Sequence, residues 1–437
     1  MMKKLGVLGL VIGLVMVFAL PASAVTVGDK NGSITIGGWF TLDTLYKGVD
    51  KNFQTYVASP TGGGKDKTMW VEDVPFWSFM YVMLNVGPFK GYAEIATSVS
   101  REYNNYQGIS YSGSTAGTSL NTGVGSSTNV ADFLTDSRWY GAYTFGNCEL
   151  QVGKNDGWLV SSGYGVYPTS TLGYSAGATT HVALIGWGWQ YDGKNANIRF
   201  KQDISKMFGY QIALVDTGTY GETWTPTGAT SATIRQSYAS YPTIAAKIML
   251  NFGPVALYPA AAYQHVTWDA LPAGYTDNMT SWTVLLPLIA KFGPFTGTMQ
   301  LSYGMNTGGP TSGNVLMRGQ NANTGYLRNA SGGLLDTTNI TGYFEAGFTF
   351  GPVTPHIWYS FDWAQNDKWK NIATANDYYQ RTTYGINAYY KVSNNFLIVP
   401  EVAFYDYGTN PGYSADSGYK FDIGKEWLAG IHFRFNF

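Results

Sequence analysis

The sequence predicts an all-β fold: a closed antiparallel transmembrane β-barrel of about sixteen strands, with short periplasmic turns and long extracellular loops. Three observations predict it. The last twelve residues alternate between apolar and polar side chains, the composition is rich in aromatic residues and glycine but poor in charge, and tight-turn signals recur along the chain. Together they favour strands that face lipid on one side and water on the other.

The C-terminal stretch Glu426–Phe437 carries the clearest strand signal. Every second residue from 427 to 437 is apolar, and Leu428 is the one apolar residue among the intervening positions. A period of two indicates a strand with one apolar and one polar face. A strand of about ten residues with this pattern is the unit of a transmembrane barrel. The alternative is the last strand of a soluble sandwich.

The composition argues against ordinary soluble domains. Charged residues make up 13% of the chain, about half the usual share, whereas aromatic residues make up 16% and there are 54 glycines. The single cysteine, Cys148, excludes an internal disulfide in a monomer. The formal net charge is −1 and no basic tail or patch is present, so nucleic acid is not an expected partner. No motif indicates a cofactor.

The first 24 residues have the organisation of a secretory signal peptide. Lys3 and Lys4 precede an apolar run, Leu5–Leu20, which is followed by the small residues of Pro21–Ala24. This pattern predicts cleavage after Ala24, leaving residues 25–437 as the mature barrel. A single anchoring helix is the alternative, but the apolar run is shorter than the ~20 residues that a spanning helix needs.

Short turns divide the mature chain into strands. Gly-Pro pairs, or looser Gly- and Asn-rich pairs, stand between alternating runs at seven places, and such pairs signal tight turns. Long segments rich in Gly, Ser, Thr, Asn and Tyr join the other ends. Eighteen strands result instead of sixteen if 181–191 is also a strand and pairs with part of 157–180. The sixteen predicted strands are 33–46, 72–86, 88–101, 137–146, 147–155, 196–204, 209–217, 241–252, 254–267, 281–292, 294–304, 338–350, 352–363, 380–392, 395–408 and 425–437.

Parity within these strands separates a lipid face from an inner face. A Lys or Arg on the lipid face near the midplane costs ~2–4 kcal/mol, so charges inside strands are expected to point inward. A sixteen-strand barrel is too wide for side chains to fill, which predicts a water-filled passive channel. The candidate pore-lining residues are Glu94, Arg138, Glu149, Arg199, Lys201, Asp203, Glu345, Asp362, Arg381 and Glu401.

In this organisation the chain resembles the general bacterial outer-membrane porin family. The resemblance covers the whole mature chain. Two stretches carry it best: the terminal strand ending in Phe437, similar to the family's assembly signal, and Asn195–Phe200 with Gly209–Leu214, which look like its sixth and seventh strands. The resemblance implies a homotrimer in outer-membrane lipid that passes small hydrophilic solutes and ions. It also implies that the third loop, about 156–195 here, folds inward and narrows the pore.

The third loop departs from the family pattern. It holds only two acids, both near its ends, and many aromatic residues, so a strong ion preference is not expected. An aromatic constriction would favour sugars or other uncharged rings by stacking; alternatively, the aromatic residues pack the loop against the wall. The candidate constriction-loop residues are Asp156, Trp158, Tyr164, Tyr167, Trp187, Trp189 and Asp192.

Other functional classes have less support. An enzyme needs a nucleophile, a base and an orienting group at one site, but the four histidines are scattered along the chain. No metal-binding pattern is present. A channel selective for sugar-like or hydrophobic solutes, and a structural or adhesive barrel without an open pore, remain as alternatives to the passive channel. The histidines are His181, His265, His356 and His432.

Overall fold

In the residues that it describes, the computed structural model is all β, with sixteen strands in one closed antiparallel barrel. Within the part of the chain that it describes, no helix has the length and apolarity needed to cross a membrane. The described residues are 24–29, 31–50, 67–99, 109–110, 121–122, 134–155, 157, 159, 195–216, 220–224, 233–239, 241–268, 271, 274–307, 327–328, 333–366, 378–408 and 424–437.

Each barrel strand pairs with its neighbours in the sequence, as predicted. In chain order they are β1 (Gly32–Val49), β2 (Lys67–Val86), β3 (Phe89–Val99), β4 (Leu134–Phe145), β5 (Cys148–Asn155), β6 (Asn195–Asp203), β7 (Phe208–Val215), β8 (Thr233–Ala239 with Thr243–Asn251), β9 (Val255–Leu257 with Ala260–Trp268), β10 (Asn278–Phe292), β11 (Phe295–Met305), β12 (Thr337–Phe348), β13 (Val353–Asn366), β14 (Tyr378–Lys391), β15 (Phe396–Asp406) and β16 (Lys425–Asn436). Short additional strands are Val25–Asp29, Tyr220–Trp224, Ile109–Ser110 with Asn121–Thr122, and Leu327–Arg328 with Leu334–Leu335.

Pairing between β1 and β16 closes the barrel. The register runs antiparallel from Trp39 opposite Asn436 to Val49 opposite Glu426. This confirms the predicted pairing of the first and last strands, which removes both exposed edges. The rest of the β1 edge is covered by Val25–Asp29, which pairs with it from Ile36 to Gly32. The sequence pattern did not predict this short N-terminal strand.

The outer surface is apolar over the thickness of a membrane. Along β10 the outward side chains include Val284, Leu286 and Phe292, which are 46%, 39% and 54% exposed. Aromatic rings lie at both ends of this band, with Trp282 packed edge-on against Tyr303 on the loop side. Ten residues at about 3.4 Å each, tilted by about 40°, span roughly 25 Å. This matches the apolar band of outer-membrane barrels.

Glycine shapes the turns that join paired strands. Gly87, Gly146, Gly253, Gly293 and Gly351 have φ between 54° and 81°, a left-handed conformation that glycine adopts without steric cost. Four of these five glycines precede proline, and proline favours tight reversals. The turns therefore lie where the sequence predicted them. The connections at the other ends of the strands lie largely outside the described residues.

Two strands are interrupted, which the sequence pattern did not predict. Residues 240–242 separate the two segments of β8, and 258–259 separate those of β9. Pro242 and Pro259 occupy these breaks. Proline has no N–H to donate to the ladder, so regular pairing stops there. The barrel continues across both breaks because both segments of β8 pair with β9 and both segments of β9 pair with β10.

Candidate functional site

The candidate site is the inner face of the barrel, because that is where the register places the charged residues of the strands. On β5, for example, Leu150 and Val152 are exposed on the outside at 40% and 51%, whereas the alternate residue Gln151 is buried at 1%. The same alternation on the other strands puts all ten predicted pore-lining residues on the inward side. They are Glu94, Arg138, Glu149, Arg199, Lys201, Asp203, Glu345, Asp362, Arg381 and Glu401.

A buried ion pair bridges β3 and β4. The Arg138 Nη1 atom donates to the Glu94 Oε2 atom at 2.7 Å, and the Tyr92 hydroxyl donates to the same oxygen at 2.8 Å. Glu94 and Arg138 are directly opposite in the register, and the side chains are 0% and 11% exposed. The two charges therefore cancel locally on the wall.

A second buried pair bridges β13 and β14. The Arg381 Nη2 atom donates to the Asp362 Oδ2 atom at 2.6 Å, and the side chains are 2% and 0% exposed. The Arg381 guanidinium also lies 5.7 Å from the centre of the Tyr379 ring. Because these residues are opposite each other in the register, the pair adds a cross-strand contact to the inner face.

Near the turns the inner charges are more accessible. On β6 the Lys201 Nζ atom donates to Asp203 at 2.9 Å, with side chains 36% and 56% exposed. Glu149 of β5 stands opposite Lys201, and the Arg199 guanidinium hydrogen-bonds the Gln151 side-chain oxygen. This sector therefore alternates basic and acidic groups at the turn-side mouth.

On the opposite sector, two carboxylates accept from neutral donors. Asn387 donates its Nδ2–H to Glu401 at 3.0 Å. Glu345 accepts from the Tyr343 hydroxyl, and the His356 Nε2 atom lies 3.9 Å from a Glu345 oxygen. Across the described inner face, basic groups thus lie among acidic and neutral polar groups. The described wall therefore carries no ladder of charges of one sign.

The start of the third loop contacts the inner wall. The Gly157 carbonyl accepts hydrogen bonds from the Lys247 ammonium at 2.7 Å and from the Gln211 amide at 3.1 Å. Lys247 is 4% exposed and Leu159 is 0% exposed. Lys247 was recognisable as an inward cation from parity, but no sequence signal identified the carbonyl that it binds. The candidate constriction residues Asp156, Trp158, Tyr164, Tyr167, Trp187, Trp189 and Asp192 lie outside the described residues.

Solvent access to the inner face changes along the barrel axis. Inward side chains near the turns, such as Lys201 and Asp203, are accessible. Farther toward the loops, polar inward side chains such as Gln264, Gln300 and Ser360 are 0% exposed. The inner face is therefore open at its turn-side end and covered along much of the remaining wall.

The described histidines do not converge. His265 lies on the outside, 6.5 Å from the Tyr241 ring centre, whereas His356 and His432 take inward positions on β13 and β16. His181 lies outside the described residues. In the described ranges no group of three or more His, Cys, Asp or Glu side chains is placed to hold a metal ion.

Comparison with known proteins identifies the fold but no sequence family. No protein-family model and no curated protein sequence matches the chain. Among solved structures, the chain is similar to a loop L8 deletion mutant of OmpT, an outer membrane protein of Vibrio cholerae. The TM-score is 0.52 at 9% identity, covering 93% of this chain and all of that one. OmpT folded in vitro gives a TM-score of 0.51 at 10% identity, covering 95% and 100%. The chain therefore has the fold of these outer-membrane β-barrel proteins.

Proposed function

We propose that the protein is an outer-membrane porin, a water-filled channel for passive diffusion of small hydrophilic solutes and ions. One observation carries the proposal: a closed sixteen-strand barrel has an apolar outer band and charged residues on its inner face. An apolar exterior suits lipid, and a barrel of this size encloses more space than its wall side chains fill. The proposal includes no enzymatic activity and no cofactor.

The distribution of inner charges supports weak ion selectivity. Arg138 lies 2.7 Å from Glu94, and Arg381 lies 2.6 Å from Asp362. At such distances opposite charges cancel most of each other's field at the distance of a passing ion. The anchoring of Gly157 by Lys247 and Gln211 supports an inward course of the third loop. We infer that this loop narrows the lumen.

Two further features belong to the proposal. We infer that residues 1–24 are removed, because Val25 pairs with Ile36 and Phe437 pairs with Gly38 along one edge of β1. The first paired residue, Val25, is thus the one that follows the predicted cleavage site after Ala24. We also infer a homotrimer, and the outer face of Thr243–Asn251 in β8, where Ile244 and Ile248 are 45% and 42% exposed, is a candidate contact between subunits.

Planar-bilayer recording of the refolded protein tests the channel directly. We expect stable ohmic conductance steps, with a small reversal potential in a KCl gradient because the inner charges are paired. Inserted barrels that carry no current would refute the open-channel proposal. They would favour the second candidate, a structural or adhesive barrel, which the covered loop-side wall supports. A large reversal potential would refute weak selectivity alone.

Lys247→Met is expected to raise single-channel conductance and open-channel noise. The substitution removes the charge-assisted hydrogen bond to Gly157, and such bonds contribute ~1.5–3 kcal/mol, so the start of the loop is held less firmly. Lys201→Met is the matched control, since it also removes an inward charge, but one that donates to Asp203 of the same strand and not to Gly157. Equal changes in both variants would mean that only the lumen charge matters.

Cys148 reports the orientation of the barrel. It is the first residue of β5, directly after the turn from β4, with its thiol 3.6 Å from the Asn147 side-chain oxygen. If turns are periplasmic, a membrane-impermeant maleimide should label Cys148 only after the outer membrane is permeabilised. A Cys148→Ser, Asp277→Cys variant places the thiol on the exposed loop-side connection and should react in intact cells. The reverse labelling pattern would invert the proposed orientation.

A further inference from the structure

Three tyrosine rings stack across adjacent strands on the turn-side half of the barrel. Tyr81 of β2 and Tyr92 of β3 have ring centres 5.6 Å apart and planes 19° from parallel. Tyr92 and Tyr140 of β4 are 5.2 Å apart at 22°. We call these three residues the tyrosine ladder. Each contact is an offset stack, which aromatic pairs prefer.

The ladder is on the inner face. Tyr92 is directly opposite Tyr140 in the register, whereas the next rung pairs Ala93 with Trp139. Trp139 is 49% exposed on the lipid side, so its alternate neighbour Tyr140 points inward. All three residues are partly accessible. Large aromatic rings thus face the aqueous interior, although the outer surface offers them a lipid environment.

Hydrogen-bonding groups border the rings. The Tyr92 hydroxyl donates to Glu94 at 2.8 Å, and Glu94 also accepts from Arg138 at 2.7 Å. Lys90 places its Nζ atom 5.9 Å from the centre of the Tyr140 ring. The sector therefore combines apolar ring surface with donors and acceptors, and its central charges form a neutral pair.

Beyond Tyr140 the ladder ends at a glycine. Gly153 of β5 is opposite Tyr140 and has a φ of +136°, a value that favours glycine. A Cβ at this position would come 2.9 Å from the Tyr140 Cβ atom and 2.3 Å from the Trp139 carbonyl oxygen. Because Gly153 has no side chain, β5 places none beside the Tyr140 ring at this rung.

We propose that the tyrosine ladder is a binding site for neutral saccharides that pass through the channel. This inference rests on the proposed channel function and specifies its solute class. A sugar ring presents an apolar C–H face and a rim of hydroxyls, which suits aromatic surface bordered by hydrogen-bonding groups. A charged solute gains little net attraction there, because Glu94 and Arg138 neutralise each other. Ring stacking alone would brace the three strands without requiring accessible rings.

Blockade of single channels by maltohexaose tests the site. The wild-type current should fall saturably with maltohexaose concentration, whereas poly(ethylene glycol) of similar hydrodynamic size should lower it without saturation. Tyr140→Leu should weaken the maltohexaose affinity about fivefold, since an aromatic stacking contact contributes ~0.5–1.5 kcal/mol. Tyr143→Leu is the matched control, because Tyr143 is on the same strand and 50% exposed to lipid. It should leave the affinity unchanged.

The outcomes separate the two proposals. Correctly inserted barrels without conductance would overturn the channel function itself. Conducting channels without saturable blockade, or with equal affinities in Tyr140→Leu and Tyr143→Leu, would overturn the saccharide site alone. Tighter blockade by adenosine than by maltohexaose would reassign the ladder to planar aromatic solutes. Heat-modifiable gel mobility verifies folding, and Tyr81→Leu provides the same comparison if Tyr140→Leu does not fold.

Discussion

Replacing Arg381 by methionine is expected to lower the free energy of unfolding by about 3–5 kcal/mol, because it leaves the Asp362 carboxylate buried without its cationic partner. Asp362 is 0% exposed on its side chain and accepts from Arg381 at 2.6 Å. The covered inner wall restricts the water that would otherwise solvate the remaining charge. Urea unfolding in detergent micelles, followed by tryptophan fluorescence, measures the change.

The double variant Asp362→Leu, Arg381→Met distinguishes two costs: that of leaving one buried charge unpaired and that of losing the ion pair as a whole. Replacing both charges by apolar groups removes the desolvation penalty together with the attraction, so most of the lost stability should return. Lys201→Met serves as the exposed control. Its side chain is 36% exposed where it meets Asp203, and exposed ion pairs contribute only ~0–1 kcal/mol.

Two results would contradict this account of the inner wall. If Arg381→Met costs no more than Lys201→Met, water reaches Asp362 and the wall is open at that level. If the double variant is as unstable as Arg381→Met, the loss comes from packing around the arginine stem. Either result would also bear on the Glu94–Arg138 pair, which is similarly buried.

The strand order and the inner face could be predicted from the sequence because lipid imposes the same rule on every strand. A charge is costly on the outer surface, so Arg381, Asp362 and Glu401 could be assigned inward from parity alone. Gly-Pro pairs indicated where the strands end on the turn side of the barrel. The antiparallel order then left β16 no partner but β1. Leu428 broke the alternation, and the structure buries it inside at 0% exposure.

Contacts between strands were not predictable in the same way, because they depend on register. The sequence shows that Tyr81, Tyr92 and Tyr140 take inward positions on their strands. Their stacking also requires a register that places the three rings side by side on adjacent strands. The Lys247 contact with Gly157 joins residues 90 positions apart through a main-chain carbonyl. Because every residue has such a carbonyl, the pattern of side chains does not identify the acceptor. The N-terminal strand Val25–Asp29 is short, and its pairing with β1 depends on where β16 ends.

Phe437→Asp is expected to lower the ratio of assembled to unassembled barrel about ten- to hundredfold. Phe437 is the last rung of the closing seam: its N–H donates to the Gly38 carbonyl at 2.9 Å, and its carbonyl accepts from the Gly38 N–H at 2.8 Å. Its ring lies over Gly38, where an added Cβ would come 2.8 Å from the ring edge. Burying a phenylalanine side chain contributes ~1.5–3 kcal/mol, which corresponds to this range. Heat-modifiable mobility after refolding into liposomes measures the ratio.

Asn436→Asp is the matched control because it adds the same charge one residue away, on the inner face. Asn436 accepts from the Arg434 Nε–H at 2.9 Å, and an aspartate keeps that acceptor, so assembly should stay close to that of the wild type. Equal losses in both variants would mean that negative charge near the C-terminus impairs assembly, whatever face it occupies. Normal assembly of Phe437→Asp would show that the backbone pairs with Gly38 close the barrel without the ring, and Phe437 would then not be an assembly signal.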